Sequence, residues 1–117
     1  RRVLVLGLTF KENVPDLRNS KAADLIAALK GLGHGVDVHD EMADPARASR
    51  EYGIDLLEKL PSREEYDCVV GAVSHAAYCA FDGDRLAGLL RSGGVVADIK
   101  GIWRHIDLGQ NYRRWEL

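Results

Sequence analysis

Four short apolar runs, each rich in β-branched residues, most constrain the fold of this 117-residue chain. They occupy residues 3–6, 36–39, 68–72 and 95–98, and helical patterns separate them. Continuous apolar runs of this length are typical of strands covered on both faces, as in a parallel sheet. Their alternation with helices predicts an α/β fold, a three-layer Rossmann-like domain with a mainly parallel sheet and helices on both faces.

Three helices are predicted, over residues 20–32, 45–52 and 84–90. The first has leucine and isoleucine at helical spacing, the second follows an N-capping Asp44, and the third should end at the glycine pair 93–94.

Two further segments are predicted from shorter patterns. Residues 56–60 indicate a short helical turn that a proline closes. Residues 112–117 fit a helix or a strand, and we favour a last strand at the edge of the sheet.

Composition excludes several classes of protein. A hydrophobic content of 46% is enough for one domain with a core, and the net charge of −2 gives no basic surface for nucleic acid or an anionic membrane. Neither a signal peptide nor a membrane-length apolar run is visible. Cys68 and Cys79 have no metal-ligand spacing, and the four histidines are scattered. We therefore predict a cytoplasmic protein with reduced thiols and no metal site.

The connection at residues 7–20, between the first strand and the first helix, is the main candidate site. Ligands of open α/β sheets bind at the carboxyl ends of the strands, where this connection lies. It is neither a GxGxxG fingerprint nor a Walker loop. It does hold an aromatic, Phe10, and two cations, Lys11 and Arg18, near a helix N-terminus, and such a site suits a diphosphate.

The same residues allow a structural interpretation. Asp16 and Arg18 are spaced to form a salt bridge in a solvated loop, and Ser20 or Asn19 would cap the following helix. From the residues alone, a ligand site and a solvated loop both remain open.

The run Gly-Leu-Thr-Phe-Lys at 7–11, followed by Asp-Leu-Arg-Asn-Ser at 16–20, resembles the opening of the C-terminal domain of the UDP-glucose/GDP-mannose dehydrogenase family. The pair His39-Asp40 and the segment 98–101 match later parts of the family's pattern, and the resemblance covers essentially the whole chain. The first motif looks most like the UDP-N-acetylhexosamine 6-dehydrogenase branch.

The resemblance implies that residues 1–117 are a single UDP-sugar-binding domain, a C-terminal fragment of a longer NAD-dependent enzyme. Such enzymes oxidise the sugar's primary alcohol to a carboxylate in two hydride transfers, for surface polysaccharide precursors. The implied partners are a UDP-sugar, the enzyme's own N-terminal and central domains and, in the full-length protein, further copies of the chain.

The resemblance also implies roles for individual residues. Phe10 and Lys11 would contact the UDP portion, and Lys100 and Arg104 would meet the substrate. Arg18 would reach towards NAD, which is bound mainly by the N-terminal domain. On sequence alone, Lys100 and Arg104 are better explained as solvated charges after a last core strand, and only the resemblance favours the substrate contact.

No catalytic residue is predicted. Cys68 and Cys79 do not match the Gly-rich segment that carries the family's nucleophilic cysteine, so we expect the isolated chain to bind without catalysing. The alternative is a non-catalytic nucleotide-binding or assembly module of the same fold.

Four other side chains have two interpretations each. His75 approaches a ligand or bonds to loop backbone, and Asp40 accepts from a ribose hydroxyl or caps a loop. Trp103 and Trp115 are expected to be packing residues, and they could lie where other domains make contact.

Overall fold

The computed structural model describes residues 1–61 and 65–116, and this part of the chain forms one five-stranded, all-parallel sheet. The strand order is β2-β1-β3-β4-β5. The strands are β1 (Arg2–Leu6), β2 (Gly35–His39), β3 (Tyr66–Gly71), β4 (Leu90–Asp98) and β5 (Arg113–Glu116). The predicted fold class and the predicted edge strand are thereby confirmed, with residue 117 outside the described residues.

Helices in the described residues are α1 (Lys21–Gly31), α2 (Pro45–Tyr52), α3 (Ala76–Cys79) and α4 (Gly83–Ala87). The first two match the prediction, including their N-caps. Ser20 accepts from the amide of Ala23, and Asp44 accepts from the amide of Ala46. The short helix α3 was not predicted from the sequence.

The third predicted helix is present but its predicted end is wrong, and the predicted turn at 56–60 is wrong. The third helix was expected over 84–90 but ends at Ala87, and Leu90 already begins β4, so the glycine pair 93–94 lies inside that strand. Leu90 pairs with Tyr66, so the chain leaves the helix about one turn before its predicted end and enters the sheet. Residues 56–60 form no helical turn, because Leu56 makes an isolated parallel bridge with Val38.

The core lies on both faces of the sheet, and β1 contributes to both halves. Val3 and Val5 pack under α1 and α2, whereas Leu4 and Leu6 pack against residues of α3 and α4. These four side chains are at most 5% exposed. Burying each of them stabilises the fold by about 1.5–3 kcal/mol, so β1 is a rigid base for the loop that follows it.

The strand order creates a switch point beside β1. The chain leaves β1 towards β2 on one side and leaves β3 towards β4 on the other, so the two connections diverge above neighbouring strands. Gly7 begins the turn after β1 at φ +108°, and a Cβ there would lie 2.6 Å from the Cβ of Val73. Only glycine allows the loops after β1 and β3 to approach so closely.

Candidate functional site

Asp40, at the end of β2, fixes the start of the loop that follows β1. One carboxylate oxygen, Oδ2, accepts from the amides of Leu8 (2.7 Å) and Thr9 (3.0 Å), and Oδ1 accepts from Met42 (2.8 Å). Asp40 is only 4% exposed. Of its two predicted roles, the structure confirms the loop cap, because the carboxylate points into the protein and its oxygens are taken by these donors.

His75, in the connection after β3, lies beneath the same loop and is 1% exposed. Its Nε2 is 2.9 Å from Asp40 Oδ2 and 2.9 Å from Thr9 Oγ1. Its Nδ1 accepts from the backbone amide of Asn13 at 2.8 Å. The prediction of a loop histidine bonded to backbone is therefore confirmed.

The pKa of Asp40 shows how strongly this cluster favours the charged carboxylate. Burial raises that pKa, but hydrogen bonds from His75 and from the amides of Leu8 and Thr9 together lower it to about 2. An ionised, fully bonded carboxylate cannot act as a proton donor near neutral pH. Asp40 is therefore an anchor of the loop rather than an acid catalyst.

The outer surface of the loop presents the predicted aromatic and cationic residues. Phe10 is 55% exposed, and Lys11 is exposed beside it. Phe10, Asp16, Arg18 and Asn19 line a shallow, open depression of about 290 Å³. The structure thus brings Phe10 and Arg18 to one depression, while Lys11 lies on the same loop outside its lining.

Arg18 is held by the salt bridge that the sequence suggested. Its Nε and Nη2 donate to the two carboxylate oxygens of Asp16 at 3.1 and 3.0 Å. The Arg18 hydrogen bond lowers the pKa of Asp16 to about 2. Because the Arg18 side chain is 79% exposed, the guanidinium is oriented by Asp16 yet open to solvent.

Lys100 and Arg104 follow β4 and are both exposed. Since β3 lies between β1 and β4, the two loops start two strand spacings apart, about 10 Å. Asp98 fixes the β4 turn, because its carboxylate accepts from the amides of Ile102 (2.9 Å) and Trp103 (2.8 Å). These two cations therefore share the carboxyl edge of the sheet with Phe10 and Lys11 but belong to a separate loop.

The hydrogen bonds by which Thr9 and Asn13 join the loop after β1 to the connection after β3 were not predicted from the sequence. Asn13 has φ +59°, and its Oδ1 accepts from the amide of Ala76 at 2.9 Å. An asparagine in a loop is a known signal for a left-handed residue, so the conformation was accessible from the sequence. Its partners, more than sixty residues away, were not.

The described residues contain neither a cluster of metal ligands nor a helix that could span a membrane. No group of three or more histidine, cysteine, aspartate or glutamate side chains there is placed to hold a metal ion. Among the helices described, none is long and apolar enough to cross a membrane.

The fold and the loop define the class: a doubly wound α/β domain with strand order 2-1-3-4-5 and a cation-bearing connection at its switch point. The sequence profile described as "UDP-glucose/GDP-mannose dehydrogenase family, UDP binding domain" matches residues 4–105. The chain belongs to this family, which confirms the resemblance recognised in its sequence.

Relatives with curated names support the same placement. Protein CapL of Staphylococcus aureus is 42% identical over 115 residues, which are 98% of this chain and 27% of that protein. UDP-N-acetyl-D-glucosamine 6-dehydrogenase of Pseudomonas aeruginosa is 38% identical over 99 residues, 85% of this chain and 23% of that enzyme. The chain thus spans about a quarter of the length of these relatives.

A solved structure shares the fold. The NDP-N-acetyl-D-galactosaminuronic acid dehydrogenase from Methanosarcina mazei Go1 superposes with a TM-score of 0.79 at 21% identity. The match covers 98% of this chain and 24% of that one.

Proposed function

We propose that this chain binds the nucleotide of a UDP-sugar within an NAD-dependent UDP-sugar 6-dehydrogenase. The enzyme would oxidise the sugar's primary alcohol to a carboxylate for surface polysaccharide precursors. The observation that carries the proposal is the exposed Phe10-Lys11 pair, which stands on a rigidly anchored loop at the switch point of a domain of this family. The named relative from Pseudomonas aeruginosa favours an N-acetylhexosamine as the sugar.

Each proposed contact follows from the chemistry of its side chain. The Phe10 ring offers an apolar wall or a stacking surface for the base, and the Lys11 ammonium pairs with the diphosphate. Lys100 and Arg104, on the neighbouring loop of the same edge, meet the rest of the substrate. Asp40 and His75 stay beneath the loop and touch no ligand.

The residues that the structure describes do not form a site for NAD. The sequence has no GxGxxG loop. The single guanidinium of Arg18, which Asp16 orients, is not enough to hold a dinucleotide. We propose that NAD is bound by the rest of a longer polypeptide and that Arg18 contacts it from this side. When bound, NAD accepts the hydride.

The proposed setting is a longer cytoplasmic enzyme. Residues 1–117 would be its C-terminal UDP-sugar-binding domain, packed against its own N-terminal and central domains in a homo-oligomer. The lengths of the named relatives, about four times that of this chain, support this proposal. The catalytic cysteine would lie in the other domains, because burial raises the pKa of Cys68 to about 11 and neither Cys68 nor Cys79 stands in a Gly-rich segment like the one that carries the family's nucleophile.

Calorimetric titration of the chain and of the full-length enzyme with UDP tests the site. Lys11→Ala should weaken UDP binding by about tenfold, because a charge-assisted bond to phosphate is lost. Lys30→Ala, an exposed lysine in the last turn of α1, is the matched control and should bind as wild type does. No binding by the wild-type enzyme, or equal binding by both variants, would sink the assignment.

The alternative, a non-catalytic nucleotide-binding module of the same fold, is separated by a different measurement. NAD reduction by the full-length protein with a UDP-sugar, followed at 340 nm, is expected of the enzyme only. UDP binding without NADH formation would support the module.

A further inference from the structure

His75 is a fully buried titratable group that the proposed contacts leave without a role. We propose that His75 is a positioning residue, which holds residues 8–13 in the conformation that presents Phe10 and Lys11 to the nucleotide. This inference deepens the proposed function and rests on it. It adds His75 as the group that pre-organises the loop. His75 lies in the connection after β3, whereas the loop follows β1.

The hydrogen-bond partners of the His75 imidazole determine which ring nitrogen carries the hydrogen. The backbone amide of Asn13 can only donate, so Nδ1 is the acceptor and carries no hydrogen. In the neutral ring the hydrogen is therefore on Nε2, where it is shared between Asp40 Oδ2 and Thr9 Oγ1, both at 2.9 Å. The Thr9 hydroxyl remains able to donate to the carbonyl of Lys11 at 3.3 Å.

These bonds enclose the two presented residues on both sides. Thr9 is tied to His75 and Asp40 immediately before Phe10, and Asn13 is tied to His75 two residues after Lys11. The Asn13 side chain adds a second bond to the same connection through the amide of Ala76. A short exposed segment held at both ends binds with less loss of conformational entropy, which is the physical basis of pre-organisation.

The geometry excludes a nucleophile relay in this cluster. A catalytic triad needs the carboxylate and the hydroxyl on opposite nitrogens of the ring, but here Asp40 and Thr9 both contact Nε2. The Nδ1 atom is taken by a backbone amide, and the ring is 1% exposed. His75 therefore acts through the loop and not on a substrate.

The test uses the full-length enzyme and compares His75→Ala with His75→Asn. Asparagine places an acceptor near the position of Nδ1, so it should rescue the bond to Asn13, whereas alanine cannot. We expect His75→Ala to raise KM for the UDP-sugar and the Kd for UDP by about fivefold or more, with kcat changed less than twofold. His75→Asn should restore both constants to within about twofold of wild type.

A surface variant covers the case in which His75→Ala does not fold. Asn13→Gly keeps the positive φ and the amide but removes the side-chain bond to Ala76, without opening a cavity in the core. It should raise the Kd for UDP by about threefold and speed amide exchange in residues 8–13. Asn111→Gly, an exposed loop asparagine elsewhere, is the control and should leave both unchanged.

The outcomes separate the two proposals. A wild-type enzyme that does not bind UDP overturns the proposed function together with this inference. Binding that Lys11→Ala weakens, but that Asn13→Gly and the His75 variants leave unaltered, overturns the positioning role alone. A fall in kcat at unchanged KM in the folded His75 variants likewise overturns it, because it indicates loss of active enzyme rather than of loop order.

Discussion

At the scale of single residues, Asp40 shows how a buried charge becomes an anchor. Its Oδ2 atom lies within 3.0 Å of two backbone amides and an imidazole nitrogen, which compensate for the loss of water. Acceptors of this kind are costly to remove, because the amides of Leu8 and Thr9 would then be buried without a partner. The loop therefore depends on the ionised form of one side chain.

We predict that this dependence appears as acid sensitivity. The pKa of Asp40 is about 2 in the folded protein against its ordinary value of 3.8, so its contribution is complete well above 3.8 and is lost as the pH falls towards 2. The shift corresponds to about 2 kcal/mol of unfolding free energy. Denaturant unfolding at pH 7 and at pH 2.5 measures this free energy.

Two variants isolate the Asp40 contribution. Asp40→Asn should be less stable than wild type at pH 7, and the difference should shrink by about 1–2 kcal/mol at pH 2.5. The exposed Asp55→Asn is the control and should follow wild type at both pH values. Burial also lowers the pKa of His39, which adds acid sensitivity below pH 6.5, and the negative charge of Asp40 partly opposes this effect in the wild type and in Asp55→Asn. A gap between wild type and Asp40→Asn that stays constant with pH would contradict the prediction.

At the scale of elements, the N-terminus of α1 is joined to the loop by one hydroxyl. Ser20 Oγ accepts from the Ala23 amide at 3.0 Å and donates to the carbonyl of Leu8. Ser20→Ala should therefore cost about 1–2 kcal/mol of unfolding free energy, at the upper end for an N-cap. Thermal or denaturant unfolding measures the loss, and the exposed Ser49→Ala within α2 is the control. Equal stability of the two variants would show that the hydroxyl contributes nothing.

Helices whose ends are set by neighbouring residues in the sequence could be predicted from it. The helices α1 and α2 have their own capping residues and stops, and each begins within one residue of its predicted start. The end of the helix predicted over 84–90 was wrong because three leucines at helical spacing also suit a helix that turns directly into a buried strand. There the pairing of Leu90 with Tyr66, twenty-four residues away, decides the outcome. Leu56 is similar, because its bridge to Val38 replaces a helical turn.

At the scale of the whole molecule, the topology places the candidate residues of two loops at the carboxyl edge of the sheet. This placement could be predicted from the order of strands and helices in the sequence. The loops after β1 and β4 both lie at the carboxyl ends of parallel strands. The cluster that holds the first loop did not follow, since it joins Thr9, Asp40 and His75 from three connections. Pattern reasoning assigns residues to elements, whereas such clusters depend on the packing between elements.

The reactivities of the two cysteine thiols test whether β3 is buried within the sheet. Cys68 lies within β3, where burial raises the pKa of its thiol to about 11, whereas Cys79 is exposed. Because only the thiolate reacts, we expect Cys68 to be alkylated by iodoacetamide at pH 8 on the order of a hundredfold more slowly than Cys79. Mass spectrometry over time, with Cys79→Ser and Cys68→Ser to isolate each thiol, measures the two rates.

Unfolding the protein in denaturant should bring the two rates together, because both thiols then face water. Equal rates in the native protein would mean that β3 is accessible and that Cys68 has an ordinary pKa. That result would reopen a nucleophilic role for this chain, since a reactive thiolate near neutral pH is the property that catalysis requires. A slow Cys68 in the native state instead excludes this buried thiol as a nucleophile near neutral pH.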